Sequence, residues 1–194
     1  MHILRARDRR AMPWKNGGGS TTEIAIGPAG ASLDAFDWRI SMAQVATDGP
    51  FSIFAGIDRT LAVIKRGGME LTIGYQPAVT LGSVSEPLSF PGDTPTTARL
   101  LDGEITDLNV MTRRERFSHR LLRVTQSMSC TLDGDDIAIV LSLDGSTDVA
   151  TPHDRVTLDH ADAVLIEASE TTTFQIDPAG NCYLIRLYPL RPSD

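Results

Sequence analysis

The chain has 194 residues, 41% hydrophobic and 22% charged, with a formal net charge of −7. That is enough apolar material for one large core or two fused small ones. The acidic balance repels phosphate backbones and argues against general nucleic-acid binding. Two cysteines, Cys130 and Cys182, with no Cys-x-x-Cys pair, point away from a disulfide scaffold or a structural zinc site. The start MHILRARDRR lacks the apolar core of a signal peptide, and no apolar run reaches the roughly 18 residues that span a bilayer. A cytoplasmic protein without membrane contact is expected.

Taken in chain order, strand signals dominate. Trp38-Arg39-Ile40-Ser41-Met42 alternates apolar and polar residues at period two. β-rich runs follow at Leu61–Ile64, Met69–Ile73, Val79–Leu81, Leu88–Phe90 and Leu108–Met111. Further runs lie at Leu121–Val124, Ile137–Leu143, Val164–Ile166, Thr172–Ile176 and Tyr183–Tyr188. Turn residues such as Gly67-Gly68, Pro91-Gly92-Asp93 and Asp133-Gly134-Asp135 separate them. No window carries a helical stripe capped at both ends. Many short strands with regular turns predict an all-β sandwich or barrel.

A shift of about 77 residues superposes the two halves without gaps. Leu61–Ile64 falls on Ala138–Leu141, Val79-Thr80-Leu81 on Val156-Thr157-Leu158, and Leu108-Asn109-Val110 on Ile185-Arg186-Leu187. Chance similarity between β-rich segments is the alternative, and duplication is the better account. Two similar β units are expected, with extra material over residues 1 to about 58.

Candidate chemistry concentrates near the N-terminus. In Trp14-Lys15-Asn16-Gly17-Gly18-Gly19-Ser20-Thr21-Thr22-Glu23, three glycines permit positive φ, and successive amides could form an anion nest beside Lys15. A tight bend before a strand at Glu23–Ile26 explains the glycines equally well. Arg39 and Ser41 share one strand face, opposite Trp38, Ile40 and Met42. Arg39 is merely exposed if that apolar set fills the core, and suits a carboxylate if it points into a barrel mouth. Asp48-Gly49-Pro50-Phe51-Ser52 and Asp58-Arg59 read as turn and loop bracing. Asp107, Asn109 and Met111 share a face that resembles a pocket wall. His2, His119, His153 and His160 form no ligand pattern, and no Gly-x-Ser-x-Gly elbow is present.

Pro13-Trp14-Lys15-Asn16-Gly17-Gly18-Gly19, Thr22-Glu23-Ile24, Phe36-Asp37-Trp38-Arg39-Ile40-Ser41, Asp48-Gly49-Pro50-Phe51-Ser52, Gly56-Ile57-Asp58-Arg59, Phe90-Pro91-Gly92-Asp93 and Asp107-Leu108-Asn109-Val110-Met111 occur in one order. Together they resemble the HutD/Ves family over roughly residues 12 to 116. The resemblance implies a cupin-type fold, an RmlC-like jelly roll with two fused germin-like halves (a bicupin). Residues 1–116 would form one half and 117–194 the other, packed as one unit. It also implies an association with histidine utilisation, through binding of an intermediate such as N-formylglutamate or urocanate. The metal-binding histidines of enzymatic cupins are absent here, so no cofactor and no dioxygenase activity are carried over.

The leading expectation is therefore a non-enzymatic binder of a small carboxylate metabolite that regulates histidine utilisation, as a homodimer. Its ligand-binding set would be Trp14, Lys15, Asn16, Gly17, Gly18, Thr21, Glu23, Arg39, Ser41, Phe51, Arg59, Asp107, Asn109 and Met111, with no catalytic residue. The alternative is a metal-independent hydrolase or isomerase using Glu23, Asp58 or Asp107 as acid and base. A third reading is an interaction protein in which the glycine segment is only a bend.

Overall fold

A computed structural model describes residues 1–190. The alternating runs become strands that divide between two compact units, residues Arg10–Arg116 and residues Met1–Arg9 together with Phe117 onward. Among the described residues the helical content is one 3-10 turn, Ala6–Asp8. No helix there is long and apolar enough to cross a membrane.

Strand β1 (His2–Leu4) belongs to the second unit. The Arg10–Arg116 unit contains β2 (Ala11–Pro13), β3 (Gly19–Gly27), β4 (Trp38–Val45), β5 (Gly49–Pro50), β6 (Ile57–Lys65), β7 (Gly68–Ile73), β8 (Val79–Gly82), β9 (Leu88–Pro91), β10 (Thr96–Leu100) and β11 (Ile105–Arg113). They form a six-stranded sheet ordered β2-β3-β4-β11-β6-β9 and a four-stranded sheet ordered β5-β10-β7-β8. Ala43, Val45, Leu61, Val63, Phe90 and Ile105 from the large sheet pack with Met69, Leu71, Ile73, Leu81 and Ala98 from the small one. Each set alternates along its strands, so one face of each sheet makes this core.

The second unit contains β12 (Phe117–Val124), β13 (Met128–Thr131), β14 (Ile137–Ser142), β15 (Thr147–Ala150), β16 (Arg155–Leu158), β17 (Ala163–Glu167), β18 (Thr173–Pro178) and β19 (Cys182–Pro189). Its sheets are ordered β1-β17-β14-β19-β12 and β13-β18-β15-β16. The order β9-β6-β11-β4 in one unit thus recurs as β17-β14-β19-β12 in the other, and β5-β10-β7-β8 recurs as β13-β18-β15-β16. The sequence offset therefore corresponds to a shared strand order.

The extra strands differ. The β2-β3 hairpin extends the sheet beyond β4, whereas β1 pairs with β17, His2 opposite Leu165. Residues 1–9, expected with the first half, accordingly belong with the second. Two arginines from the opening basic run fasten this segment: Arg5 donates to Asp162 at 2.7 Å and Arg9 to the Ala161 carbonyl at 2.6 Å. Strands β10 and β13 escape the sequence pattern because more than half of their residues are Thr, Ser, Cys or Arg, too polar to register as alternation.

Candidate functional site

Antiparallel register decides which side chains of the first unit meet. Ile26, Arg39, Met111, Arg59 and Phe90 lie in one row across β3, β4, β11, β6 and β9. The next row is Glu23, Ser41, Asn109, Leu61 and Leu88, and the next is Thr21, Ala43, Asp107 and Val63. Residues directly opposite share a face, and this is the face carrying Ala43, Leu61 and Val63 in the core. Half of the sheet interior is thus apolar and half polar.

Five of the polar residues are buried, while Thr21 and Glu23 are half-buried. Arg39 is 6% exposed, Ser41 2%, Arg59 5%, Asp107 2% and Asn109 9%. The exposed-surface reading of Arg39 is overturned: Trp38 and Ile40 are buried on the opposite face, and Arg39 is buried as well. A β-bulge between Glu23 and Ala25 keeps Glu23 opposite Ser41 while bringing Ile26 opposite Arg39. The Arg39 Nε–H donates to Glu23 Oε2 at 2.8 Å. Neither terminal amino group of Arg39 makes a hydrogen bond among the described residues.

Arg59 is held differently. Its guanidinium carbon lies 5.0, 5.8 and 5.3 Å from the ring centroids of Phe51, Phe54 and Phe90. These rings attract the cation through their faces while displacing its water. Burial is the main force on its acidity and pulls the pKa down to about 10; Asp107 opposes this and Arg39 adds to it. Asp107 shows the mirror effect. Its carboxyl is pushed up to about 7, chiefly by desolvation, with Arg59 and the Ala43 amide pulling the other way.

Three buried polar atoms on this face have no hydrogen-bond partner: Arg59 Nε, Asp107 Oδ1 and Asn109 Oδ1. Each such atom costs on the order of 1–3 kcal/mol when left dry and unpaired. A donor and two acceptors without protein partners, beside Arg39, can together hold a small ligand with an anionic end and a polar end.

Of the expected residues, Glu23, Arg39, Ser41, Phe51, Arg59, Asp107, Asn109 and Met111 come together. Trp14 and Thr21 join the third row, where the indole N–H donates to Thr21 Oγ1 at 2.8 Å. Lys15, Asn16, Gly17 and Gly18 do not join the polar rows. They form the β2-β3 turn, which meets β4 at Val45, because Gly19 pairs with Val45. Arg39 lies at the other end of β4, about 20 Å away at ~3.3 Å per residue. Lys15, Asn16 and Gly17 are exposed. The expected anion nest is also filled from within: Gly17 N–H donates to the Trp14 carbonyl at 3.0 Å, and Gly18 N–H to Asn16 Oδ1 at 3.1 Å. The bend reading explains these glycines. A Cβ on Gly19 would sit 2.2 Å from the Gln44 carbonyl oxygen and 3.0 Å from the Trp14 ring.

Phe54 and Phe90 were not anticipated as site residues. A signal existed in Phe51-Ser52-Ile53-Phe54, two aromatics bracketing a short loop before Arg59. Asp58, a candidate acid, instead accepts from Arg114 Nε at 2.8 Å on the exposed rim. Among the described residues no three His, Cys, Asp or Glu side chains group to hold a metal ion.

The chain matches the HutD family over residues 6–184. It is 40% identical over 121 residues to a 21.2 kDa protein of the hutC 3' region of Pseudomonas putida, a match covering 62% of this chain and 63% of that one. The alignment thus spans about three fifths of the length of that curated relative. The solved structure of HutD from Pseudomonas fluorescens SBW25 superposes with a TM-score of 0.85 at 33% identity, covering 97% of this chain and 98% of that chain. A cupin 2 conserved barrel domain protein from Leptotrichia buccalis superposes at 0.55 with 12% identity over 88% of each chain, a likeness of fold alone. Fold and a family match over nearly the whole chain agree: this all-β, cupin-like chain is a member of the HutD family.

Proposed function

We propose that this protein is a non-enzymatic binder of a small carboxylate metabolite, bound inside the Arg10–Arg116 unit, and that occupancy regulates histidine utilisation. The carrying observation is the set of buried, unpartnered polar atoms of Arg59, Asp107 and Asn109 on one interior face beside Arg39. Arg39 and Arg59 would face the carboxylate, and Asn109 with Asp107 would accept from N–H donors at the other end. Met111, Phe51 and Phe90 would supply apolar walls. N-formylglutamate and urocanate both pair a carboxylate with an N–H group. The hutC-region relative and the HutD structure support the metabolic setting. The shared strand order supports two duplicated cupin halves, and a cytoplasmic homodimer is the proposed state.

Thermal unfolding with histidine, urocanate, formiminoglutamate, N-formylglutamate, glutamate and formate tests this. A ligand at 100 times its dissociation constant stabilises by about 2.7 kcal/mol, a midpoint rise of roughly 5–10 °C for a chain of this size. One metabolite should produce that rise without being consumed, and Arg39→Ala should abolish most of it. An unchanged shift in Arg39→Ala would sink the proposed pocket.

The Asp107 carboxyl supports a second reading. A buried acid poised near neutrality suits proton transfer, so the same site would serve a metal-independent hydrolase or isomerase. Turnover of a panel compound, lost in Asp107→Asn, would favour that reading.

A further inference from the structure

We infer that the second unit carries its own anion site, where the core-facing side of its larger sheet reaches solvent at Ser118 and Arg120, for a small oxyanion such as a carboxylate or phosphate. It uses none of the residues of the proposed site. On β12 and β19, Arg120 stands directly opposite Arg186, and Ser118 directly opposite Tyr188. These residues alternate with the outer-face residues and share the side on which Leu122, Val124, Cys182 and Leu184 meet the core. Two guanidiniums therefore face the same side from adjacent strands, at directly opposed positions where side chains are about 5 Å apart at Cβ and like charges repel.

The charges nearby do not balance. Asp136 Oδ2 accepts from Arg186 Nη2 at 3.0 Å, the one ion pair either arginine makes among the described residues. Arg120 makes no hydrogen bond or ion pair among them. The other acids of that loop, Asp133 and Asp135, are exposed and unpaired to either arginine. Arg186 also keeps a buried Nε–H with no acceptor, while its guanidinium carbon sits 5.2 Å from the Tyr188 ring centroid. That ring covers one side of the cation and limits its hydration.

An oxyanion bridging the pair answers each of these facts. One oxygen accepts from Arg186 Nε, a second from Arg120, and the Ser118 hydroxyl lies within the same end of the strands. The planar fork of arginine favours two-oxygen acceptors of this kind. The excess cation is then neutralised and the buried donor satisfied.

The full-length chain carrying Arg39→Ala, which disables the other unit's proposed site, should be titrated with sodium acetate and separately with inorganic phosphate. Chloride holds the ionic strength constant, and backbone amide NMR shifts of Ala138, Arg186 and Tyr188 report binding. At least one anion should give saturable shifts at these three residues, and the stronger of the two identifies the source class. Adding Arg120→Gln, a change at an exposed position that spares the fold, should weaken that affinity about tenfold. Shifts no different from the chloride control with both anions, or an affinity unchanged by Arg120→Gln, would overturn the site. Either result leaves the Arg39 test independent.

Discussion

The two units share strand order and differ in what fills the interior. Strand β11 turns Asp107, Asn109 and Met111 inward; at the offset positions β19 carries Leu184, Arg186 and Tyr188. Asp107 is buried beside a caged arginine, whereas Leu184 is 1% exposed in a wholly apolar cluster. The backbone tolerates either filling. A polar interior therefore reflects chemistry placed on the fold rather than a demand of the fold, and its unpaired atoms mark the unit that accepts the larger share of cost.

Moving the acid across the comparison should have the largest effect. Leu184→Asp places a carboxylate in a core with no arginine cage around it, costing on the order of 3–5 kcal/mol. Thermal unfolding should show a midpoint lowered by roughly 10 °C.

Removing the acid from its own unit should do the opposite. Asp107 titrates near 7 in the fold against an ordinary 3.8, so its ionisation opposes folding. Its contribution is most favourable below about pH 4, declines as pH rises to about 7, and stays reduced above that. Asp107→Asn is neutral throughout. Urea unfolding should find it more stable than the parent at pH 8 by on the order of 3 kcal/mol, with the two converging near pH 4.

The hairpin carries a smaller prediction. Gly19→Ala pushes a methyl into the Gln44 carbonyl and should cost about 1–3 kcal/mol in the same assay. Lys15→Ala, on the exposed tip, should change stability by no more than about 0.5 kcal/mol and leave metabolite-induced stabilisation intact. Loss of that stabilisation would return Lys15 to the site.

Much of this was readable from the residues. Alternation in Trp38–Met42 and Leu108–Met111 revealed β4 and β11, and gave the shared face of Asp107, Asn109 and Met111. The offset repeat anticipated the recurring strand order. The Glu23–Arg39 ion pair was hidden, because a bulge in β3 sets which of its residues meets Arg39. Arg59 read as a loop brace, because its three rings come from two separate segments, Phe51 and Phe54 before β6 and Phe90 on β9. Lys15 looked like a partner for Arg39 because spacing along the chain gives no distance across a sheet.

By itself the sequence determined the all-β class of fold and the shared face of residues such as Asp107, Asn109 and Met111, since period-two alternation is local and survives without knowledge of partners. Register, and with it the meeting of Arg39, Arg59, Asp107 and Asn109 and the exclusion of Lys15, was decided only in the tertiary structure. Antiparallel pairing sets side chains from distant segments opposite one another, and a single bulge redirects a strand.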